Sequence, residues 1–333
     1  MVTGVRAFLR EALLAGGMIG LLIIGLIAHT DSIPPLVVVE SSSMSHDEMQ
    51  GTLDAIDAGD LVMVMGTPDH RVITFAEATD PTHEAFGYEQ HGMPGDVIIY
   101  RKDGSTTETP IIHRAILRAV ANVTNDPIDR AEGRCMGDGS WDPISIGADG
   151  LRGTCVLTWD VPGTSLRNVS NVTWSFDGMG TGSYPCDHRM GPYHHGSTLD
   201  GNLTVREWDP GHAGFLTLGD NNRCSFDQGY AANPSSLGLP TSTGVVGTIR
   251  SDWLVGTGGG AIPWFGAIKL VVAGGPLGAS EVPDRSFVGL GVVIALMLVM
   301  PARVSTLVQS ILAMGPEGRA STEEALMSAS DQE

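Results

Sequence analysis

Basic residues are scarce in this chain. Lys and Arg number 19 against 38 Asp and Glu, a formal net charge of −19. A nucleic-acid partner needs clustered cations to neutralise phosphates, so that class is excluded. The acidic surplus favours solubility instead and suits a salty habitat. Aromatics are also few, 6% of residues, whereas glycine is abundant at 44. That balance predicts short strands and loops, not a helical bundle. Cysteine is limited to Cys135, Cys155, Cys186 and Cys224, and none forms a Cys-x-x-Cys pair. Zinc-ribbon and dithiol redox readings therefore lose their footing. An even number of cysteines, all on one side of the apolar segments, suits an oxidising exterior. Three pairings are open, and buried free thiols are the alternative. No cofactor is expected. No metal is expected either, because Cys186, His188, His194, His195 and His212 match no standard zinc spacing.

The length of 333 residues allows one large domain or two small ones. Arg6 and Arg10 precede an uncharged run over 12–28, within the range of a membrane span. A cleaved secretory signal is the alternative. Read as a retained anchor, residues 1–30 leave the two arginines in the cytoplasm and carry the following residues outside. Strands are predicted over 36–39, 61–65, 97–100, 110–117, 214–218 and 244–249 from short apolar runs behind turn residues. Ser45-x-x-Glu48 fits a capping box, 66–92 reads as a loop, and 101–109 as a polar hairpin tip. Residues 31–119 and 212–262 then form the two halves of one core.

Between them, 120–211 is rich in Gly, Asp, Asn, Ser and Thr and reads as an inserted β/loop-rich subdomain. It holds four glycosylation-type triplets, at Asn122, Asn168, Asn171 and Asn202. Residues 263–303 give an amphipathic segment and a second transmembrane helix over about 282–302, an interfacial helix being the alternative. Residues 304–333 form an acidic cytoplasmic tail.

Three polar groups stand at the ends of predicted strands: Ser43, His113 and Asp220. A serine hydroxyl needs a neighbouring base to become a nucleophile. A histidine, with an unperturbed pKa near 6.5, can take and return a proton. A carboxylate can hold that imidazole in one tautomer, and backbone or hydroxyl donors can stabilise the oxyanion. Lys102 is a weaker base, because it sits in the polar tip and lysine needs burial to lose its proton. His29 and His46 read as polar residues near the membrane interface.

Ser41-Ser42-Ser43-Met44, His113-Arg114, Gly219-Asp220-Asn221-Asn222 and Asp227-Gln228-Gly229-Tyr230 follow an apolar anchor in that order. In this order they resemble signal peptidase I of the archaeal and endoplasmic-reticulum type. Gly59-Asp60-Leu61-Val62 and Gly95-Asp96-Val97-Ile98 resemble further landmarks of that family. Three departures stand out: Ser42 where glycine is usual, His46 where proline often follows, and one extra residue between Asp220 and Asp227.

The resemblance implies a mainly β, signal-peptidase-like catalytic domain flanked by N- and C-terminal transmembrane helices. It implies Ser43 as nucleophile, His113 as general base, and Asp220 and Asp227 as supports, one orienting His113 and the other holding Arg114 or a loop. Ser43 N–H and the Ser41 hydroxyl would form the oxyanion hole. The implied partners are secretory preproteins with small residues at −1 and −3, membrane lipid and, as a further option, the export machinery. A non-catalytic anchored surface glycoprotein and a degenerate peptidase-like subunit are the competing readings. The topology expects both termini in the cytoplasm and 30–280 outside. Protease treatment of intact cells should therefore degrade the middle and spare the C-terminal tail; the opposite pattern would refute it.

Overall fold

The computed structural model of the chain describes residues 2–46, 51, 55–66, 71–124, 156–175, 203–222, 225–229, 238–242 and 244–313. All four cysteines and His188, His194 and His195 lie outside these, as do Asn202, Tyr230 and the tail from 314.

The chain enters through helix α1 (Val2–Thr30). Strands β1 (Leu36–Val38) and β2 (Leu61–Met65) follow. Helix α2 (Phe75–Thr79) precedes a small hairpin of β3 (Glu89–Gln90) and β4 (Met93–Pro94). Next come β5 (Val97–Tyr100) and the long β6 (Ile111–Thr124). Strands β7 (Val156–Asp160), β8 (Val172–Ser175), β9 (Thr204–Trp208) and β10 (Gly214–Leu218) continue the order. The short pair β11 (Pro240–Thr241) and β12 (Gly244–Val245) leads to β13 (Leu254–Ile262). Helices α3 (Ala267–Glu281) and α4 (Asp284–Ala313) complete the described chain.

The main sheet is antiparallel, in the order β1-β2-β13-β5-β6-β10, with β7 on the far end of β6. Its central strand β13 is one that sequence periodicity does not reveal. Leu254-Val255-Gly256-Thr257-Gly258-Gly259-Gly260 has no alternation, and at Gly256 the neighbouring backbone comes too close for a side chain. A Cβ on Gly256 would lie 2.2 Å from Met65 O. Residues 244–249, expected as one strand, pair only at Gly244–Val245, with Ile249 bridging Phe215. Inside the predicted loop at 66–92, Thr74 and Glu77 form a reciprocal capping box that opens α2. The box expected at Ser45 falls partly outside the described residues, and the Ser45 hydroxyl instead donates to Asp57 Oδ1 at 2.6 Å.

β6 runs through the 119/120 boundary. The apolar cluster around Trp159, Val172, Val205 and Trp208 is continuous with Phe75, Leu216, Leu218 and Phe226. The described part of 120–211 thus packs onto the core. A second cluster, Ile98, Tyr100, Ala115, Phe215, Val246 and Ile249, supports β5, β6 and β10. A third, Val39, Met44, Ile56, Val62 and Val97, lies beneath the serine turn. Among the described residues, one helix is long and apolar enough to cross a membrane, over Phe8–Thr30, and none of that window is buried.

Asp60 joins β2 to the start of the C-terminal helices. Its Oδ1 accepts from Trp264 N–H at 2.8 Å and its Oδ2 from Asp57 N–H at 3.0 Å. Burial pushes its pKa up to about 6 from 3.8, the two N–H donors opposing and the Asp57 charge assisting. The folded chain thus retains a proton that the unfolded chain releases near 3.8, so stability falls as pH rises from about 4 to about 6 and then levels. Thermal unfolding in detergent should show this decline, roughly 3 kcal/mol for this group, and Asp60→Asn should flatten it. Parallel pH dependences in the two proteins would remove Asp60 as the cause.

Candidate active site

The pleat of β6 divides the work of two consecutive residues. His113 pairs with Ile98 across β5, and Arg114 with Val97, so the two side chains leave opposite faces of the sheet. Each meets its own aspartate.

On the first face, His113 Nδ1 lies 2.7 Å from Asp227 Oδ2. Its Nε2 lies 3.0 Å from Ser43 Oγ. A carboxylate can only accept, so the ring proton belongs on Nδ1 and the Nε2 lone pair faces the serine hydroxyl. The same Asp227 oxygen also accepts from Tyr100 OH at 2.7 Å and Thr217 Oγ1 at 2.6 Å. Three donors thus hold a carboxylate that is 2% exposed. Burial, and next the Asp227 charge, push the Tyr100 phenol well above its ordinary pKa, so it stays a donor. Tyr100 and Thr217 reach Asp227 because β5, β6 and β10 place them beside His113 on one face.

Ser43 sits in the turn after β1. Met44, 1% exposed, is sunk in the apolar cluster below, and Ser45 is tied to Asp57, so the turn is anchored from its C-terminal side. Ser41 Oγ donates to Ser43 Oγ at 3.2 Å. Among the described residues, the Ser43 N–H donates to no chain atom. The two groups expected at the oxyanion hole therefore flank the serine, one of them unengaged.

On the other face, Arg114 Nε and Nη2 make a bidentate pair with Asp220 at 2.9 and 2.7 Å. Its Nη1 donates to Gly95 O at 2.6 Å, Gln90 O at 3.0 Å and Met93 O at 3.1 Å. Burial opposes ionisation of Asp220, but the Arg114 guanidinium and His46 outweigh it and hold the carboxyl well below the usual carboxylate range. His46 is not an interface residue: it is buried, with Nδ1 3.4 Å from Asp220 Oδ2. His29 is exposed on α1.

All four residues expected in catalysis are thus close to the site, with their tasks divided. Asp227, beyond the extra residue, holds the imidazole, while Asp220 holds Arg114. The signal that separates them is strand parity, since Arg114 and His113 must face apart. Gly219 closes the arrangement: a Cβ there would lie 2.8 Å from His113 Nε2 and 2.8 Å from Ser43 O. Lys102 pairs with Glu108 in the 101–109 turn. Sequence reasoning missed Tyr100 and Thr217, whose polar ends matter only once the register is known.

His212 lies edge-on to Trp253, with ring centroids 5.8 Å apart. Among the glycosylation-type triplets, Asn122 Nδ2 donates to Asp160 Oδ1 at 2.7 Å and Asn168 Oδ1 accepts from Thr158 Oγ1 at 2.6 Å, whereas Asn171 is exposed.

Comparison of the chain with protein-family models, with curated proteins and with solved structures gives no match.

Replacing Arg114 by Ala leaves the Asp220 carboxylate buried without its guanidinium. A loss of about 3–5 kcal/mol is expected, read as a lowered thermal midpoint. A loss below about 1 kcal/mol would mean that the pair is not a structural support.

Proposed function

We propose that the chain is a membrane-anchored serine endopeptidase of the signal peptidase I type, which removes N-terminal signal peptides from exported preproteins. The observation that carries this reading is the continuous contact from Ser43 Oγ to His113 Nε2 and from His113 Nδ1 to Asp227 Oδ2. Resemblance in the motif order supports it, and so does the apolar helix just upstream of the serine.

In the proposed reaction Ser43 Oγ attacks the scissile carbonyl carbon while its proton passes to His113 Nε2. The carbonyl π electrons move onto oxygen, and Ser43 N–H and the Ser41 hydroxyl would donate hydrogen bonds to the resulting oxyanion. The C–N bond then breaks and the amine leaves with the proton from Nε2, giving an acyl-enzyme. Water, deprotonated by His113, attacks that ester and releases the cleaved peptide's new carboxyl end along with Ser43 O–H. Asp227 stabilises the imidazolium in both halves. Arg114 and Asp220 touch no reacting atom in this scheme; they fix the walls.

The substrate would lie extended against a sheet edge, with small side chains at −1 and −3. The anchor would raise its effective concentration by confining enzyme and substrate helix to one plane. For α4 we propose a second span, supported by the exposed apolar residues Val288, Val292, Leu296, Met297, Leu298 and Val299. The catalytic sheet would then face the outside between two spans.

The test is cleavage of a secretory preprotein by the purified chain in lipid. Ser43→Ala and His113→Ala should each lose about 10⁴-fold or more. Gly219→Ala should lose activity by pushing the imidazole from the serine, and Lys102→Ala should leave it nearly intact. Undiminished cleavage by Ser43→Ala would overturn the nucleophile; complete loss in Lys102→Ala would point to a lysine base.

A further inference from the structure

One residue holds both peptide groups that flank the serine. Asn221 Nδ2 donates to Ser42 O at 3.0 Å, and Asn221 N–H donates to Ser43 O at 2.8 Å. Ser42 O also accepts from Ser45 N–H at 3.1 Å, closing the turn. In a planar trans peptide the C=O and the following N–H point in opposite directions. Tying Ser42 O to Asn221 therefore turns the Ser43 N–H away from Asn221. That N–H has no acceptor among the described residues. An unbonded N–H beside a nucleophile, with its direction fixed from behind, is what a developing oxyanion requires.

The alternative orientation is a flip of the Ser42–Ser43 peptide. It would break two hydrogen bonds at Ser42 O and bring the N–H toward the Asn221 amide, which offers it no acceptor while Nδ2 faces the turn. Asn221 is itself held, because it follows Asp220, which is locked by Arg114. The neighbouring Asn222 N–H donates to Gly219 O at 2.8 Å and tightens the same turn.

We propose that Asn221 is a positioning residue for the oxyanion hole: its side-chain amide, by holding Ser42 O, aims the Ser43 N–H at the transition-state oxygen. This rests on the peptidase reading above. Asn221 acts in the tetrahedral state and not on the bound peptide, so its removal separates kcat from KM.

The experiment compares wild type, Asn221→Ala and Asn221→Asp on a preprotein-derived peptide. Each variant is also titrated with two probes of one sequence: an uncleavable peptide and a peptide aldehyde. The aldehyde carbon bonds Ser43 Oγ, and the hydroxyl proton ends on the resulting hemiacetal oxygen. Expected is a fall in kcat of about 10²–10³-fold, with KM and affinity for the uncleavable peptide within about threefold of wild type. Aldehyde affinity should fall in parallel with kcat. Asn221→Asp is nearly isosteric and keeps the backbone bond to Ser43 O, so it decides the matter if Asn221→Ala does not fold.

A kcat within about threefold of wild type in the folded variants would overturn the inference, as would equal loss of affinity for both probes. Wild-type cleavage that disappears in Ser43→Ala but keeps its full rate in the Asn221 variants would sink this inference alone. Absence of cleavage by wild type, or its persistence in Ser43→Ala, would sink the peptidase reading itself.

Discussion

The buried pair of Arg114 and Asp220 is the constraint on which the rest of the site depends. Arg114 is fully buried, and its guanidinium reaches the carbonyls of Gln90 and Met93 in the β3–β4 hairpin and of Gly95 just after it, as well as both carboxylate oxygens. It thereby joins three pieces of the chain: the first part of β6, the hairpin before β5, and the turn after β10. The third of these carries Asn221, which grips the serine turn. A displacement of Asp220 would pass directly into the position of Ser43. The interaction lies on the opposite face of the sheet from the imidazole, so it can be rigid without competing for Asp227.

Such a pair is a costly way to secure a fold. Removing a guanidinium and a carboxylate from water carries a penalty that their attraction offsets only with good geometry and with every remaining donor satisfied. Here the bidentate contact and the hairpin carbonyls meet that condition. The gain is directional. Apolar packing of the same volume could stabilise the sheet equally well, but it would not fix the azimuth of the turn that bears Asn221. Asp227 follows related logic at smaller scale. Three neutral donors surround one oxygen, so the carboxylate stays where the imidazole needs it although almost no water reaches it.

Much of this was legible in the sequence where local pattern and burial coincide. Strands at 61–65 and 97–100 have the expected limits because an apolar run behind Gly-Asp leaves one way to bury it. The serine, the histidine and both aspartates could be singled out by motif order. The division between Asp220 and Asp227 could not, because it follows from the pleat of β6 and the partners across it. β13 was invisible for a different reason. Gly256 is demanded by the close approach of Met65 O in β2, and a strand with four glycines leaves no period to detect. α2 failed the opposite way: it is too short for a helical period, although Thr74 and Glu77 do spell its cap. Tyr100 looked like the last apolar residue of a strand, and only the register shows that its hydroxyl ends on Asp227.

The path from α1 to Ser43 links the apolar helix to the proposed chemistry. α1 ends at Thr30, whose carbonyl accepts from Gly66 N–H at 2.7 Å, just beyond β2. β1 begins six residues later and pairs at once with β2. Twelve residues lie between Thr30 and Ser43, a reach of at most about 45 Å when fully extended, and pairing with β2 shortens it. The helix end and the serine turn are therefore joined through the sheet as well as along the chain. If α1 spans a membrane as proposed, a long flexible tether would let the site sample a large volume above the bilayer, whereas this short one, fastened at both ends, would hold it at a limited height. On the proposed reading, cleavage position is then set by distance from the membrane as well as by side-chain fit, because the substrate's own apolar helix is held in the same plane.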